Sequence, residues 1–444
     1  MSPTSLIHNP RRIRHIRRSA TAAVAASLSA VLALSACSSD DGGSSSENTS
    51  SEESSHEGHD HGDEPATEAQ EVDAAEPRIL TTYDGGYLTL DANTLEVISD
   101  EKIDGFNRLN PLGDGRHVLL STGDGFQLID AGVWTEPHGD HTHSYAGAPV
   151  LTDTVFGTDT PGHVVSHDGN VALFGDGDGK IQLFKAEDFL GISGGDGDDV
   201  PEPTVKETDD PHHGVAVELS DGTLLHTEGT EEHRDTVVAL DVDGEEIASS
   251  NDCEGVHGEA TAAGEAVSFG CEDGVLVYKD GEFTKIDAEG SYGRTGNQSG
   301  SDESPVVLGD YKVEEDAELE RPTRIKLTNT EDNTAQLVEL GTSYSFRSLA
   351  RGPEGEALVL GTDGKLHVID PESGEETDSW DVIDEWEEPV EWQEARPTLF
   401  VQGDRAYVSE PSSNELHVVD LSNGETLTSA ELPETPNELT GVTG

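Results

Sequence analysis

The chain of 444 residues carries 92 acidic and 25 basic side chains, a formal net charge of −67. A field of that sign repels nucleic acid and anionic lipid and concentrates cations, so polyanions are excluded as partners. The same composition also suits a salty habitat, where acidic residues keep a surface hydrated. Aromatics make up only 5% and there is one Met, so any core is lean and is filled by Val, Leu and Ile in short runs.

In chain order, the first element is a targeting segment. "RRIRHIRRSA" is a basic stretch, and "TAAVAASLSAVLALSA" is an apolar run too short for a membrane span. It ends in Leu34-Ser35-Ala36-Cys37, which resembles a bacterial lipobox. Residues 1–36 are therefore expected to be a lipoprotein signal peptide, with Cys37 acylated as the first mature residue. The alternative is a chance cysteine behind an ordinary signal. On the lipobox reading the protein is exported and held at the outer face of the cell membrane, touching the membrane through its lipid anchor only.

Residues 37–76 are rich in Ser, Glu and Asp and poor in large apolar residues, the composition of a disordered tether. Within it "HEGHDHGDE" carries His56, His59 and His61, a candidate metal-capture arm; a solubilising low-complexity tail is the alternative. Two further cysteines, Cys253 and Cys271, follow in the mature chain. In an oxidising compartment a disulfide between them is expected.

From residue 77 onward short alternating apolar runs are broken by Gly, Asp and Asn, with no helical period, which reads as strands. The runs repeat. "HVLLSTGDGFQLIDAGVW", "NVALFGDGDGKIQLFKAEDF" and "ALVLGTDGKLHVIDPESGEET" share a strand, an acidic turn, a second strand and a weaker third. A period of about 40 to 45 residues with four strands per unit is that of a β-propeller. The fold class is thus all-β, a propeller of about eight blades over residues 77–444. Seven remain possible because the unit at 293–340 is irregular. The first unit lacks an inner strand, and the terminal "NELTGVTG" could supply it and close the ring.

Ten of the sixteen histidines outside the signal lie between His138 and His257. His163, His213 and His257 stand at or just before inner-strand starts of three consecutive units, 50 and 44 residues apart. Such positions sit side by side at one mouth of the channel and can converge on one ion. The stretch "EPHGDHTHSY" adds His138, His141 and His143. It is expected to be a loop from the outer strand of the second unit to the inner strand of the third. That would place it at the same mouth, with one or two of its histidines completing the site; His212 and His233 are assigned to that face too. Imidazole suits Zn²⁺ and also Cu²⁺, while Fe²⁺ would want a carboxylate in the set. The acidic field should raise histidine pKa values and weaken zinc binding below about pH 6. His117, His367 and His417 lie within strands and read as structural, His167 sits at the far end of its strand, and "GDGDGK" reads as an acidic hairpin rather than a calcium loop.

The segments "HEGHDHGDE", "EPHGDHTHSY" and "PHHGVAVELSDGTLLHTEG" resemble the AztD-type zinc metallochaperones, a similarity running from about residue 56 to the end. The resemblance implies an exported propeller, non-enzymatic and here expected to be a monomer, that binds Zn²⁺ and hands it to the solute-binding protein of a zinc ABC transporter. It implies one zinc site in the arm (His56, His59, His61) and one on the propeller, within the cluster of His138, His141, His143, His163, His213 and His257. The lipobox departs from soluble members of the family. Two other functions compete. A metal-dependent hydrolase or lyase could use Asp140, Glu228 or Glu259 as base, although no HExxH or GxSxG signature is present. A protein-binding propeller would leave the histidines incidental.

Overall fold

The computed structural model describes residues 69–192 and 200–444. Apart from one short 3₁₀ turn, Ala186–Phe189, the regular structure of the described residues is all strand. Eight four-stranded antiparallel sheets form the blades, and a ninth sheet has three strands. Blade 3 shows the pattern: Pro161–His167 is innermost, then Asn170–Gly175, Lys180–Lys185 and the outer Thr204–Glu207. The second strand, "NVALFG", is buried at every position, whereas the outer "TVKE" is largely exposed. Neighbouring blades cover both faces of a middle strand, so it reads as a continuous apolar run; the rim needs no such run.

The core therefore lies in the seams between blades. Leu119, Phe126 and Leu128 of blade 2 pack with Val171, Leu173 and Phe184 of blade 3. Val215, Leu225 and Val237 of blade 4 pack with Val267, Phe269 and Leu276 of blade 5, around Cys253 and Cys271. Each apolar side chain buried there contributes about 1.5–3 kcal/mol.

The ring closes as the termini suggest. Leu439–Val442 is the inner strand of blade 1, paired with Arg78–Tyr83. Glu438, just ahead of it, accepts from Arg108 Nε at 3.2 Å and Arg347 Nη2 at 3.0 Å. The described residues form eight blades. The irregular unit is blade 6, whose inner strand is only Gln298–Ser299 and whose second and third strands, Val306–Asp310 and Arg324–Asn329, are separated by a long connection.

Three local expectations are overturned. The stretch 136–145 is not a loop but most of a β-hairpin, Val133–His138 and His141–Ala146, closed by a two-residue turn with Gly139 at φ +67°. Glycine at the first turn position accepts that φ and matches the twist of the strands. Second, "AGVW" leads into this hairpin and is not an outer strand; the outer strand of blade 2 is Val150–Gly157, paired with Gly125–Asp130. Third, Gln70–Val72, in the segment read as tether, pairs with the hairpin as its third strand.

The hairpin thus interrupts blade 2 between its third and fourth strands. Strand directions alternate, so that connection lies on the face opposite the one where inner strands begin. His138, His141 and His143 consequently do not share a face with His163, His213 and His257. The base of the hairpin is fixed to the ring: Arg78 donates to the carbonyls of Ala131 and Gly147, one on each side of it. Trp134 stacks on Tyr145 across the two strands, and the Arg116 guanidinium lies 4.0 Å from the Trp134 ring centre.

Candidate metal centres

On the inner-strand side, three imidazoles meet at the channel mouth. His163 is the third residue of its strand; His213 and His257 stand just before Ala216–Glu218 and Glu259–Ala262. Ring centres are 4.9 to 5.9 Å apart, and one nitrogen from each ring lies within 4.8 Å of the others. Each Nδ1 faces an oxygen: Glu259 Oε2 at 3.3 Å from His163, Asp176 Oδ2 at 2.5 Å from His213, and the Gly296 carbonyl at 2.7 Å from His257. A carbonyl or ionised carboxylate can only accept, so Nδ1 carries the proton and Nε2 is left with a free lone pair. This is the arrangement by which an outer partner fixes the tautomer of a metal-ligating histidine.

Two glycines allow the close approach. Gly258 has φ +70°, and a Cβ there would lie 2.6 Å from the Gly296 oxygen. A Cβ on Gly162 would lie 2.1 Å from Asp176 Oδ1, displacing the group that orients His213. The triad lines an open cavity of about 510 Å³ whose wall also includes Arg108, Asn110, Lys312, Phe346 and Trp392. No residue of 136–145 lines it, so the expected composite of loop and strand-start histidines does not form.

The expected rise in histidine pKa fails at His257. Burial, with help from His163 and His213, pushes its imidazole well below the ordinary value of 6.5. Desolvation acts at contact range, whereas a diffuse surface charge is screened.

The second triad sits on the hairpin. His143 Nε2 lies 3.1 Å from both His138 Nδ1 and His141 Nε2, while His143 Nδ1 donates to Glu71 Oε1 at 2.6 Å. Zn–N bonds of about 2.0–2.1 Å in a tetrahedron separate ligand nitrogens by about 3.3–3.4 Å. Both pairs that include His143 are thus close to the spacing one zinc ion requires, and all three residues offer a ligand atom within 4.8 Å of the others. His138 and His141 are exposed, whereas His143, like the three rings of the channel triad, is half-buried.

His56, His59, His61 and Cys37 lie outside the described residues. The other assignments divide. His212 is fully buried and spends both nitrogens on Asp210 O and Thr227 Oγ1, so it offers no free ligand atom to the site. His233 is paired with Asp235. The hairpin reading of "GDGDGK" holds for Asp178, which accepts from Thr158 Oγ1 and the amides of Asp159 and Lys180 and is held below the ordinary carboxylate range despite burial. Asp176 and Glu71 are the residues that sequence reasoning missed. Asp176 is the first aspartate of that same motif, and only the ring geometry brings it to the next blade's histidine. Glu71 sits in a segment whose composition gives no strand signal.

The disulfide forms between Cys253 and Cys271, both fully buried, with Cα atoms 4.9 Å apart. It fastens the segment carrying His257 to the strand Ala266–Cys271. Next to it the His257 amide donates to Gly270 O at 2.9 Å, and Gly270 N donates to Gly258 O at 3.2 Å.

Two outcomes follow. Replacing both cysteines with alanine should weaken zinc binding at the channel triad by roughly tenfold, the lower end of what loss of an outer-shell support costs, and leave the hairpin triad unchanged. Titrations that isolate each triad with His143→Ala or His213→Ala check this; equal losses at both would mean a global effect. In metal-free protein the His257 ring should also stay neutral as pH falls through 6.5. The unfolded chain takes up that proton and the folded chain does not, so this group's contribution to stability is complete above 6.5 and declines below it. An imidazole NMR titration with a His257 inflection at or above pH 6.5 would contradict the burial argument.

No family model matches the chain. Among curated proteins it is similar to the zinc chaperone AztD of Citrobacter koseri, 24% identical over 369 residues that cover 79% of this chain and 84% of that protein. The crystal structure of C. koseri AztD superposes with a TM-score of 0.70 at 23% identity, covering 84% of this chain and 99% of the other. A structure of the apo form of that protein gives the same TM-score at 21% identity, over 83% and 98% of the two chains. The resemblance first carried by three histidine segments therefore extends over most of the chain, which is similar in sequence to the zinc chaperone AztD and shares its fold.

Proposed function

We propose that this protein is an exported zinc carrier that collects Zn²⁺ outside the cytoplasm and passes it to the solute-binding protein of a zinc ABC transporter. The observation that carries the reading is the pair of three-histidine groups. Each has nitrogens close enough to share one ion, and in the channel group every Nδ1 is committed to an oxygen. Similarity to a protein named a zinc chaperone supports the metal and the role.

The division of labour follows from exposure. Two of the hairpin histidines, His138 and His141, are exposed, on a hairpin that pairs with the strand Gln70–Val72. The hairpin would form an accessible intake, in a field that already draws cations. The recessed channel triad would hold a second ion more slowly exchanged, on the opposite face. Within the channel triad Glu259 meets the Nδ1 side of His163. That is the position of an orienting group and not of a base beside metal-bound water, which favours a carrier over a hydrolase. A disulfide suits an oxidising compartment, and acylation of Cys37 would keep the carrier on the membrane near its acceptor.

The zinc-loaded protein should transfer metal to its zinc-free solute-binding protein faster than it releases metal to a chelator, because ligand exchange within a complex avoids free dissociation. Stopped-flow transfer no faster than dissociation would sink the chaperone reading.

A further inference from the structure

We propose that blade 8 carries a third divalent-cation site, formed by Glu410, Glu415 and His417, distinct from both histidine triads. The strands Arg405–Glu410 and Glu415–Asp420 put Glu410 directly opposite Glu415, and Thr426–Glu431 puts Glu431 opposite Glu415. Directly opposed residues of antiparallel strands share a face with Cβ atoms about 4.5–5.5 Å apart, and like charges so placed are destabilising. Three glutamates therefore stand in a row on one face of the blade. Among the described residues no Lys or Arg forms an ion pair with any of them; the basic group nearest is His417, whose Nε2 lies 3.4 Å from Glu410 Oε2.

His417 supplies the second observation. It is one row along on the same face, opposite Ser429, and only 9% exposed. Its Nδ1 is hydrogen-bonded with Ser429 Oγ at 2.8 Å, but its Nε2 is shut off from solvent and makes no hydrogen bond. Blade 7 has the equivalent histidine, His367, in "KLHVID" against "ELHVVD". There both nitrogens are satisfied, by Glu376 at 3.1 Å and Asp363 at 3.2 Å. Reading both as structural fits His367, whereas the Nε2 of His417 has no hydrogen bond and only a 3.4 Å approach to Glu410 Oε2. One nitrogen of His417 and an oxygen of each of Glu410 and Glu415 lie within 4.8 Å of one another.

A dication resolves each of these features. It balances the two carboxylates, occupies the free Nε2 lone pair when Nδ1 donates to Ser429, and leaves positions for water. Glu410 Oε1 also accepts from the Asp384 amide at 3.1 Å, so the ion would brace the connection arriving from blade 7. Two carboxylates and one imidazole suit a first-row divalent ion and, unlike the all-histidine triads, tolerate Mn²⁺ well.

The test uses the full mature chain carrying His143→Ala and His213→Ala, which cripples both triads, with Mn²⁺ followed by electron paramagnetic resonance. The expected result is one bound Mn²⁺ per chain, displaced by Zn²⁺, with affinity lowered at least tenfold by Glu415→Gln. Glu415 is partly exposed beside a turn, so this change should leave the fold intact, which circular dichroism checks. No bound Mn²⁺ in that background, or binding indifferent to Glu415→Gln, would overturn the proposal. Because both triads are crippled throughout, the result stands apart from the zinc-carrier reading.

Discussion

Strand direction alternates within every blade, so all eight inner strands must begin on one face of the ring, and the connection from third to fourth strand must lie on the other. This constraint distributes the chemistry of the molecule. It lets His163, His213 and His257, from three consecutive blades, point at one place although 94 residues separate the first from the last. It also assigns the hairpin histidines to the opposite face, since their hairpin interrupts blade 2 after its third strand. The ring itself depends on Leu439–Val442 returning to Arg78–Tyr83, and the same Arg78 anchors the base of the hairpin. Closure of the fold and placement of the exposed triad are one structural event.

Within the channel triad, three short-range effects prepare the nitrogens. Oxygen acceptors hold the Nδ1 protons, burial keeps His257 neutral, and the disulfide ties its segment to the neighbouring strand. Burial prevails over the net charge of the protein because desolvation and neighbouring imidazoles act at the ring itself. An ion arriving at neutral pH therefore need not displace a proton from His257, which lowers the cost of loading. The hairpin triad is built with less support: Glu71, on a strand that belongs to the N-terminal segment, holds His143, and the exposed Asp140 lies 3.3 Å from His141 Nδ1. Less enclosure suits intake and exchange, and more enclosure suits retention.

Much of this was legible in the sequence. Repeats of apolar run and acidic turn gave the propeller, because each blade repeats one packing problem. The terminal "NELTGVTG" gave the closure, and the spacing of His163, His213 and His257 gave their convergence. The hairpin was not legible in the same way. "AGVW" has the texture of an outer strand, and only pairing energetics across the blade select Val150–Gly157 for that position instead. Glu71 and Asp176 were missed for a related reason: each acts on a histidine distant in sequence, and nothing local marks an acidic residue in an acidic chain as an orienting group. His417 reads like its counterpart His367, and the difference lies in one nitrogen that faces Glu410 without a hydrogen bond, which sequence does not display.

The central claim is that two separate three-histidine centres occupy opposite faces of one ring. Diffraction at the zinc absorption edge from crystals of the zinc-loaded protein tests it most directly. The account predicts one anomalous peak bonded at about 2.0–2.1 Å to Nε2 of His163, His213 and His257. A second should be bonded to His138 Nδ1, His141 Nε2 and His143 Nε2. A single ion drawing ligands from both sets, or no ion at the channel mouth while the hairpin is occupied, would contradict it.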